Sequence, residues 1–178
     1  QQPYEETWKH VADMTGQERA RVLDEALSRL GPHDSPLREL EYASYTFDFV
    51  MDYGAYREFK RHRMQSYIAQ PLTVAHSFVL PELFEKTGLA QDFLRAMEAS
   101  RRGYEQVSEM SSVVAQYLVT HAHRRRVLSQ MNLRECYHFF KMRTSSQAHF
   151  TIREVAREAL RQVVEVHPSL FKHLKLRG

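Results

Sequence analysis

The chain has 178 residues, of which 43% are hydrophobic and 26% are charged, and these values argue against the disordered and membrane classes of protein. Its 25 basic and 22 acidic side chains give a net charge of +3, which does not identify a nucleic-acid-binding protein by itself. A single cysteine, Cys136, excludes an internal disulfide, and no apolar run is long enough to span a membrane. We therefore predict a cytoplasmic protein with one domain over residues 1–178, comprising a helical lead-in at 1–36 and a core at 37–178.

The first part of the chain predicts two helices, a strand and a short third helix. Apolar spacing predicts helices over residues 4–14 and 15–30, and the second begins with a Thr-x-x-Glu capping box. Two prolines and a glycine within 31–36 end it. Aromatic residues then alternate with polar ones over 42–51, as expected for a strand with one buried face, and a short helix over 52–60 follows.

The second part of the chain predicts more helix than strand. Residues 71–81 have no clear period and are expected to form a loop or an irregular strand. Two arginines and a glycine at 101–103 predict a bend in the helix that contains them. The other predicted elements are a strand at 127–131 and helices at 89–110, 112–118, 132–143 and 147–166. Together these elements predict an α+β fold in which helices wrap a small, mainly antiparallel sheet.

A basic triplet, Arg61-His62-Arg63, follows the short helix. Two guanidinium groups can each hold a phosphate or a carboxylate through paired hydrogen bonds, and the imidazole between them can stack on a flat ring. Cations are also common at the solvated C-terminal end of a helix, where they interact favourably with the helix dipole. The residue types alone favour the solvated helix end and leave the anion site open.

A second cluster of histidine and arginine lies at His121, His123 and Arg124-Arg125-Arg126. Two histidines at this spacing could bind a metal ion from a strand, but no third ligand follows at a matching distance. The arginines could contact nucleic-acid phosphates, but no aromatic-rich or helix-turn-helix pattern accompanies them. We therefore predict a solvated entrance to a strand and no metal site.

Two separated blocks of sequence resemble the motifs of flavin-dependent thymidylate synthases. The first block, Arg61-His62-Arg63 followed by Ser66, is similar to the beginning of the signature R-H-R-x-x-S-x-x-x-x-S-x-R. The second block covers residues 132–143 and is similar to the helix motif N-x-R-x-x-x-H-F-x-x-x-R, with Arg134 and His138 at its inner positions. Two blocks in the same order are more specific than either block alone.

The resemblance implies a mechanism and a set of binding residues. In that family FAD takes hydride from NADPH and relays a methylene group from methylenetetrahydrofolate to dUMP, and no protein nucleophile is needed. The implied cofactor-binding residues in this chain are Arg61, His62, Arg63, Asn132, Arg134 and His138. The implied substrate-binding residues are Glu58, Ser66 and Arg143, and the catalytic residues stay unassigned.

Several substrate positions of the family are replaced in this chain. Pro71 and Thr73 stand where the signature has its second serine and last arginine, and Gln116 stands where the family has an arginine. Glu58 replaces a glutamine that reads the pyrimidine, and an ionised carboxylate accepts hydrogen bonds but donates none. Each charge-assisted hydrogen bond contributes about 1.5–3 kcal/mol, so the affinity for dUMP is expected to fall by several powers of ten. We therefore expect that this chain alone does not methylate dUMP at the rate typical of the family.

Three functions are open at this point. The first is an FAD-binding member of this family that acts on dUMP or on an altered nucleotide. The second is a non-catalytic structural or regulatory domain, one half of a duplicated two-domain protein. The third and least favoured is a nucleic-acid-binding module built around the two basic triplets, and salt-dependent binding to DNA or RNA would identify it.

The resemblance also implies assembly. Members of that family are homotetramers whose active sites lie between subunits, so we expect a homo-oligomer, dimer or tetramer, or pairing with an upstream domain of the same protein. The absence of an initiator methionine predicts that the sequence is part of a longer chain. We expect the contact between subunits to bury the aromatic faces of Tyr45, Phe47 and Tyr137.

Overall fold

The period-two segment around Phe47 forms the first strand of an antiparallel sheet, in a computed structural model that describes residues 2–177. The strands are β1 (Ser44–Asp52), β2 (Gln65–Ala69) and β3 (Arg124–Asn132). The helices are α1 (Tyr4–Asp13), α2 (Gly16–Leu27), α3 (Tyr53–Phe59), α4 (Glu82–Lys86), α5 (Ala90–Ser108), α6 (Ser112–Ala115), α7 (Leu133–Arg143), α8 (Phe150–Val166) and α9 (Pro168–Phe171). Within residues 2–177, none of them is long and apolar enough to cross a membrane. The fold is α+β, which confirms the predicted class.

The third strand holds the sheet together because it lies between the other two, in the order β1-β3-β2. Both pairings are antiparallel, with Phe49 opposite Val127 and Ile68 opposite Leu128. The side chains of Phe49 and Val127 are buried on the inner face, whereas those of Ile68 and Leu128 are exposed on the outer face. This alternation follows from the period of two along a strand.

Aromatic side chains from the sheet and from α7 form the core. The ring of Phe49 lies 5.3 Å from that of Phe59 and 6.3 Å from that of Phe139, measured between centroids. On α7, Tyr137 is fully buried, and its hydroxyl donates a 2.6 Å hydrogen bond to the carbonyl of Leu170. The buried side chains of α8 are Thr151, Ile152, Ala156, Ala159 and Val163. Packing therefore fixes α7, whose buried side chains include the charged residues Glu135 and Lys141 as well as aromatic ones.

The aromatic rings expected to form a subunit interface belong instead to the core of the chain itself. Tyr137 is fully buried and Phe47 is only 9% exposed. The ring of Tyr45 packs on Phe171 at a centroid distance of 5.8 Å, and its hydroxyl forms a hydrogen bond with His167. An interface built on these three rings is therefore excluded, and that prediction is wrong.

The structure differs from the predicted elements at β2 and at Tyr42. Strand β2 has no counterpart in the sequence prediction, because it is a short edge strand whose side chains are mostly exposed. Tyr42 lies in a 3-10 turn, Arg38–Tyr42, rather than in the strand, and it is 96% exposed. Helix α5 runs unbroken through Gly103, the position of the predicted bend. A Cβ atom at Gly103 would lie 3.3 Å from the side chain of Leu118, so close packing explains the glycine.

The N-terminal helices contact the C-terminal end of the chain. The predicted capping box at the start of α2 is confirmed, since Thr15 and Glu18 exchange hydrogen bonds. At the other end of α2, Asp24 forms ion pairs with Lys172 over 2.9 Å and with His173 over 2.6 Å. These contacts hold α2 against α9 and the residues that follow it.

Candidate functional site

A buried hydrogen bond joins the two blocks of sequence that resemble flavin-dependent thymidylate synthases. His62, in the turn between α3 and β2, lies against Glu135 on α7, with 2.7 Å between Nδ1 and Oε1. Both side chains are nearly inaccessible to solvent, at 3% and 4% exposure. The contact forms because β2 pairs antiparallel with β3, so Gln65 lies opposite Met131 and the turn before β2 meets the helix after β3.

This hydrogen bond belongs to a four-residue network that consists of Glu135, His62, Arg143 and Glu58. Arg143 donates from Nε to Nε2 of His62 over 2.8 Å and from Nη1 to Oε2 of Glu58 over 2.6 Å. Because Nε2 of His62 accepts a hydrogen bond, the ring proton lies on Nδ1 and is donated to Glu135. The imidazole is therefore neutral in this arrangement, and hydrogen bonds on both sides determine its orientation.

The network connects three helices of the core. The second carboxylate oxygen of Glu58, on α3, accepts a 3.2 Å hydrogen bond from the main-chain N–H of His149 at the start of α8. The side chains of Arg143 and Glu58 are 14% and 23% exposed, so solvent screens their ion pair only in part. Removing one member would leave a largely buried polar group unpaired, which costs about 1–3 kcal/mol and more for a charged group.

A cleft of about 310 Å³ lies between residues 32–36 and α7, and we call it the α7 cleft. The cleft is also lined by Met64, Asn132, Arg134, His138, Lys141 and Arg177. Asn132, Arg134 and His138 are three of the residues that the resemblance implies for FAD. The ring of His62 lies behind the cleft, with its centroid 5.4 Å from that of His138. The structure thus brings parts of both motif blocks to one location.

Asn132 and Arg134 also form hydrogen bonds within the chain. Asn132 caps α7, because its Oδ1 accepts a 2.8 Å hydrogen bond from the N–H of Glu135. Arg134 forms a 2.6 Å ion pair with Glu41 and donates to the carbonyl of Pro36, and the guanidinium lowers the pKa of the Glu41 carboxyl. The described residues give the ring of His138 no hydrogen-bond partner, and partial burial lowers the pKa of its imidazole.

The side chains of the basic triplet differ in their exposure to solvent. His62 is 5% exposed and faces the core, whereas Arg61 and Arg63 are exposed. Within residues 2–177, neither arginine side chain forms a hydrogen bond or an ion pair, so both guanidinium groups face solvent beside the site. The triplet follows the end of α3 at Phe59 rather than continuing that helix.

The positions that the resemblance assigns to the substrate make internal contacts. The Oε1 atom of Gln116 accepts a 2.9 Å hydrogen bond from the N–H of Leu72, which follows Pro71. Thr73 accepts a hydrogen bond from the N–H of Ala75 within the same loop. Ser66, which matches the signature, is exposed on β2 and faces a shallow depression on the outer side of the sheet, away from Glu58 and Arg143. The structure therefore brings Glu58 and Arg143 together but not Ser66.

The histidine pair near β3 has structural contacts. His123 is buried and its Nδ1 atom lies 2.9 Å from the hydroxyl of Thr120, while His121 stacks on the ring of Tyr53. Within the described part of the chain, no group of three or more potential metal ligands is present. The arginine triplet begins β3, and Arg125 packs over the ring of Tyr56.

Sequence reasoning missed three residues at the site: Glu135, Lys141 and Arg177. Glu135 occupies the first turn of a helix, where a carboxylate is favoured by the dipole, and this pattern gives no indication of a contact with His62. From the sequence alone, Lys141 is an ordinary cation near a helix C-terminus. Only the fold places Glu135 next to a residue 73 positions away in the chain.

Substituting Arg143 tests whether the four-residue network stabilises the fold. We expect Arg143→Met to lower the free energy of unfolding by about 2–4 kcal/mol, because it leaves Glu58 without a countercharge and His62 without a donor. Arg161→Met is the matched control, since Arg161 is also an ion-paired arginine, with Glu158 and Glu165 on α8 as its partners, but is 61% exposed. The control should change stability by less than about 1 kcal/mol. Urea unfolding followed by circular dichroism measures both, and equal losses would contradict a stabilising network.

The chain is similar to a UPF0159 protein and to flavin-dependent thymidylate synthases. It is 36% identical over 140 residues to the UPF0159 protein Ta1429 of Thermoplasma acidophilum, a match that covers 78% of this chain and 28% of that protein. It is 30% identical over 142 residues to the flavin-dependent thymidylate synthase of Sulfolobus acidocaldarius, covering 75% and 55%. The corresponding enzyme of Pyrococcus abyssi is 31% identical over 147 residues, covering 71% and 57%. The chain thus spans about half the length of these synthases and less of the UPF0159 protein.

A family profile gives the broadest match. The profile described as thymidylate synthase complementing protein, Thy1, matches residues 1–169, which is nearly the whole chain. The match includes both motif blocks and every residue of the four-residue network. The chain therefore belongs to the thymidylate synthase complementing protein family.

Proposed function

We propose that this domain binds FAD at the α7 cleft and has lost the usual contacts to dUMP. The meeting of both motif blocks at one cleft supports cofactor binding most directly. Asn132, Arg134 and His138 line the cleft, His62 lies behind it, and the family profile matches a range of residues that includes all four.

The chemistry of the cleft suits part of a flavin dinucleotide. Its volume of about 310 Å³ is near the lower limit of ligand sites, so it fits one portion of FAD rather than the whole molecule. Arg134 and Lys141 provide positive charge within it, and Arg61 and Arg63 lie exposed on the turn that precedes Met64. Guanidinium and ammonium groups form strong, charge-assisted hydrogen bonds with phosphate oxygens.

The residues of this domain bind and orient rather than react. A bound flavin supplies hydride transfer, with NADPH as the reductant that the family implies. The thiol of Cys136 is not a nucleophile, because it is fully buried and burial raises its pKa to about 12. His62 is held neutral between Arg143 and Glu135 and acts by supporting His138 and the start of α7.

Weak binding of dUMP follows from contacts at the replaced positions. Arg143 is the retained arginine of the substrate set, and Glu58 forms an ion pair with it at 2.6 Å. A substrate would have to displace this carboxylate before it could use the guanidinium. Gln116 holds the loop of Pro71 and Thr73 through Leu72 instead of providing a positive charge.

A non-catalytic structural or regulatory role is the second candidate function. The internal contacts of Glu58 and Gln116 favour it, because they turn substrate positions into parts of the folded core. In either role we propose a homo-oligomer or pairing with another domain. The exposed apolar side chains of Ile68 and Leu128 on the outer face of the sheet supply a surface for such a contact. Light scattering behind a sizing column measures the mass, and a monomer at high micromolar concentration would exclude self-association.

Cofactor binding is tested at Arg61 and Arg63, because both are exposed and their removal should leave the fold intact. We expect the double variant Arg61→Ala, Arg63→Ala to bind FAD at least tenfold more weakly, as the loss of one charge-assisted hydrogen bond of about 1.5–3 kcal/mol predicts. Arg101→Ala with Arg102→Ala on α5 removes the same charge elsewhere and should bind FAD like the parent chain. Quenching of flavin fluorescence measures the affinity. Equal affinity of both double variants, or no binding by the parent chain, would overturn the proposal.

Substitution of Glu58 tests whether its ion pair with Arg143 weakens the binding of dUMP. Glu58→Gln keeps an acceptor for the N–H of His149, restores an amide donor, and removes the negative charge from Arg143. We expect dUMP to bind at least tenfold more tightly, since a phosphate or pyrimidine oxygen no longer competes with a carboxylate. Glu158→Gln, at an exposed position of α8, should leave dUMP affinity unchanged. Calorimetry in the presence of FAD measures both, and no gain for Glu58→Gln would show that this ion pair does not limit substrate binding.

A further inference from the structure

Lys141 is a buried cation whose partners are main-chain carbonyls. It is 5% exposed, and its ammonium group donates to the carbonyl of Asp34 over 2.9 Å and lies 3.5 Å from that of Gly31. Within residues 2–177 it forms no ion pair with a carboxylate. Buried charges are normally paired with an opposite charge. The ammonium group of Lys141 has only carbonyl partners, so it can still pair with an anionic ligand.

A second cation lies close to Lys141 at the same cleft. The charge of Arg177 acts with burial to lower the pKa of Lys141, and it also lowers the pKa of His138. The guanidinium of Arg177 contacts the sulfur of Met142 at 3.1 Å, which is a weak acceptor. Like charges held close together repel each other. An anion bound between the two cations would attract both and offset that repulsion.

The spacing along α7 places these groups on one face. Arg134, His138 and Lys141 are related by steps of four and three residues, so their side chains lie above one another along the helix. With a rise of about 1.5 Å per residue, the first and last are about 10 Å apart along the axis. This distance allows long cationic side chains to contact successive phosphate groups of one ligand.

We propose that Lys141 and Arg177 bind the diphosphate of a nucleotide in the α7 cleft, next to Arg134 and His138. Where the nucleotide is FAD, this inference rests on the proposed function, whereas the phosphate site itself does not. The carbonyl of Asp34 now holds Lys141 through a neutral oxygen, whereas Arg134 is paired with the Glu41 carboxylate as well as with the carbonyl of Pro36. Phosphate oxygens carry charge and are stronger acceptors for the same donors.

Calorimetry at fixed ionic strength with ADP, FAD and riboflavin tests this site. ADP carries the diphosphate without the flavin, and riboflavin carries the flavin ring without a phosphate. We expect Lys141→Met and Arg177→Gln each to weaken ADP and FAD binding about tenfold or more and to leave any riboflavin binding unchanged. Lys175→Met is the matched control, because it removes a nearby exposed charge that does not line the cleft, and its affinities should stay within about twofold of the parent chain.

The ligands and variants separate the two proposals. Binding of ADP that depends on Lys141 and Arg177, without binding of FAD, would support the phosphate site and overturn the flavin function. Binding of FAD that is unchanged in both variants would overturn the phosphate site and leave the flavin function standing. A parent chain that binds neither ADP nor FAD would overturn both. Because Arg177 is exposed, its variant gives an answer even if Lys141→Met lowers stability.

Discussion

The hydrogen bond between His62 and Glu135 is the constraint on which the rest of the site depends. It joins the turn before β2 to the first turn of α7, two segments 73 residues apart. Because Arg143 donates to the other ring nitrogen, the proton of His62 has only one position, and the ring cannot turn without breaking two hydrogen bonds. The cost of leaving these groups unpaired in the core keeps the turn, α7 and Glu58 in a single arrangement.

Helix α7 contributes side chains to both the core and the cleft. Tyr137 and Phe139 are buried with the sheet and neighbouring aromatic rings, and this packing fixes the helix in position and rotation. The cleft residues Arg134, His138 and Lys141 follow one another at helical spacing, beside the buried ring of Tyr137, which also lines the cleft. A rigid helix thus presents its cations at fixed distances, which is the preorganisation that binding of a charged ligand requires.

The sequence predicted the parts of the fold that depend on local periodicity and missed those that depend on distant contacts. The strand around Phe47 and helix α7 have clear periods, and both form as expected. Strand β2 could not be recognised, because an exposed edge strand is stabilised by main-chain hydrogen bonds to β3 rather than by an apolar pattern. The contacts of Lys141 involve carbonyls more than 100 residues away, and no local pattern carries that information.

The same limit applies to Glu58 and Gln116, which stand at positions that the resemblance assigns to the substrate. In sequence, Glu58 and Gln116 indicate only that donors have been lost, whereas the structure shows what each side chain bonds to instead. An ion pair between Glu58 and Arg143 stabilises the helices that it connects, so any ligand for Arg143 must first offset the energy of that contact. The cleft face of α7 carries no such contact to Glu58. The Glu58–Arg143 ion pair and the cleft therefore lie on different parts of α7, and His62 connects them through its hydrogen bonds to Arg143 and to Glu135.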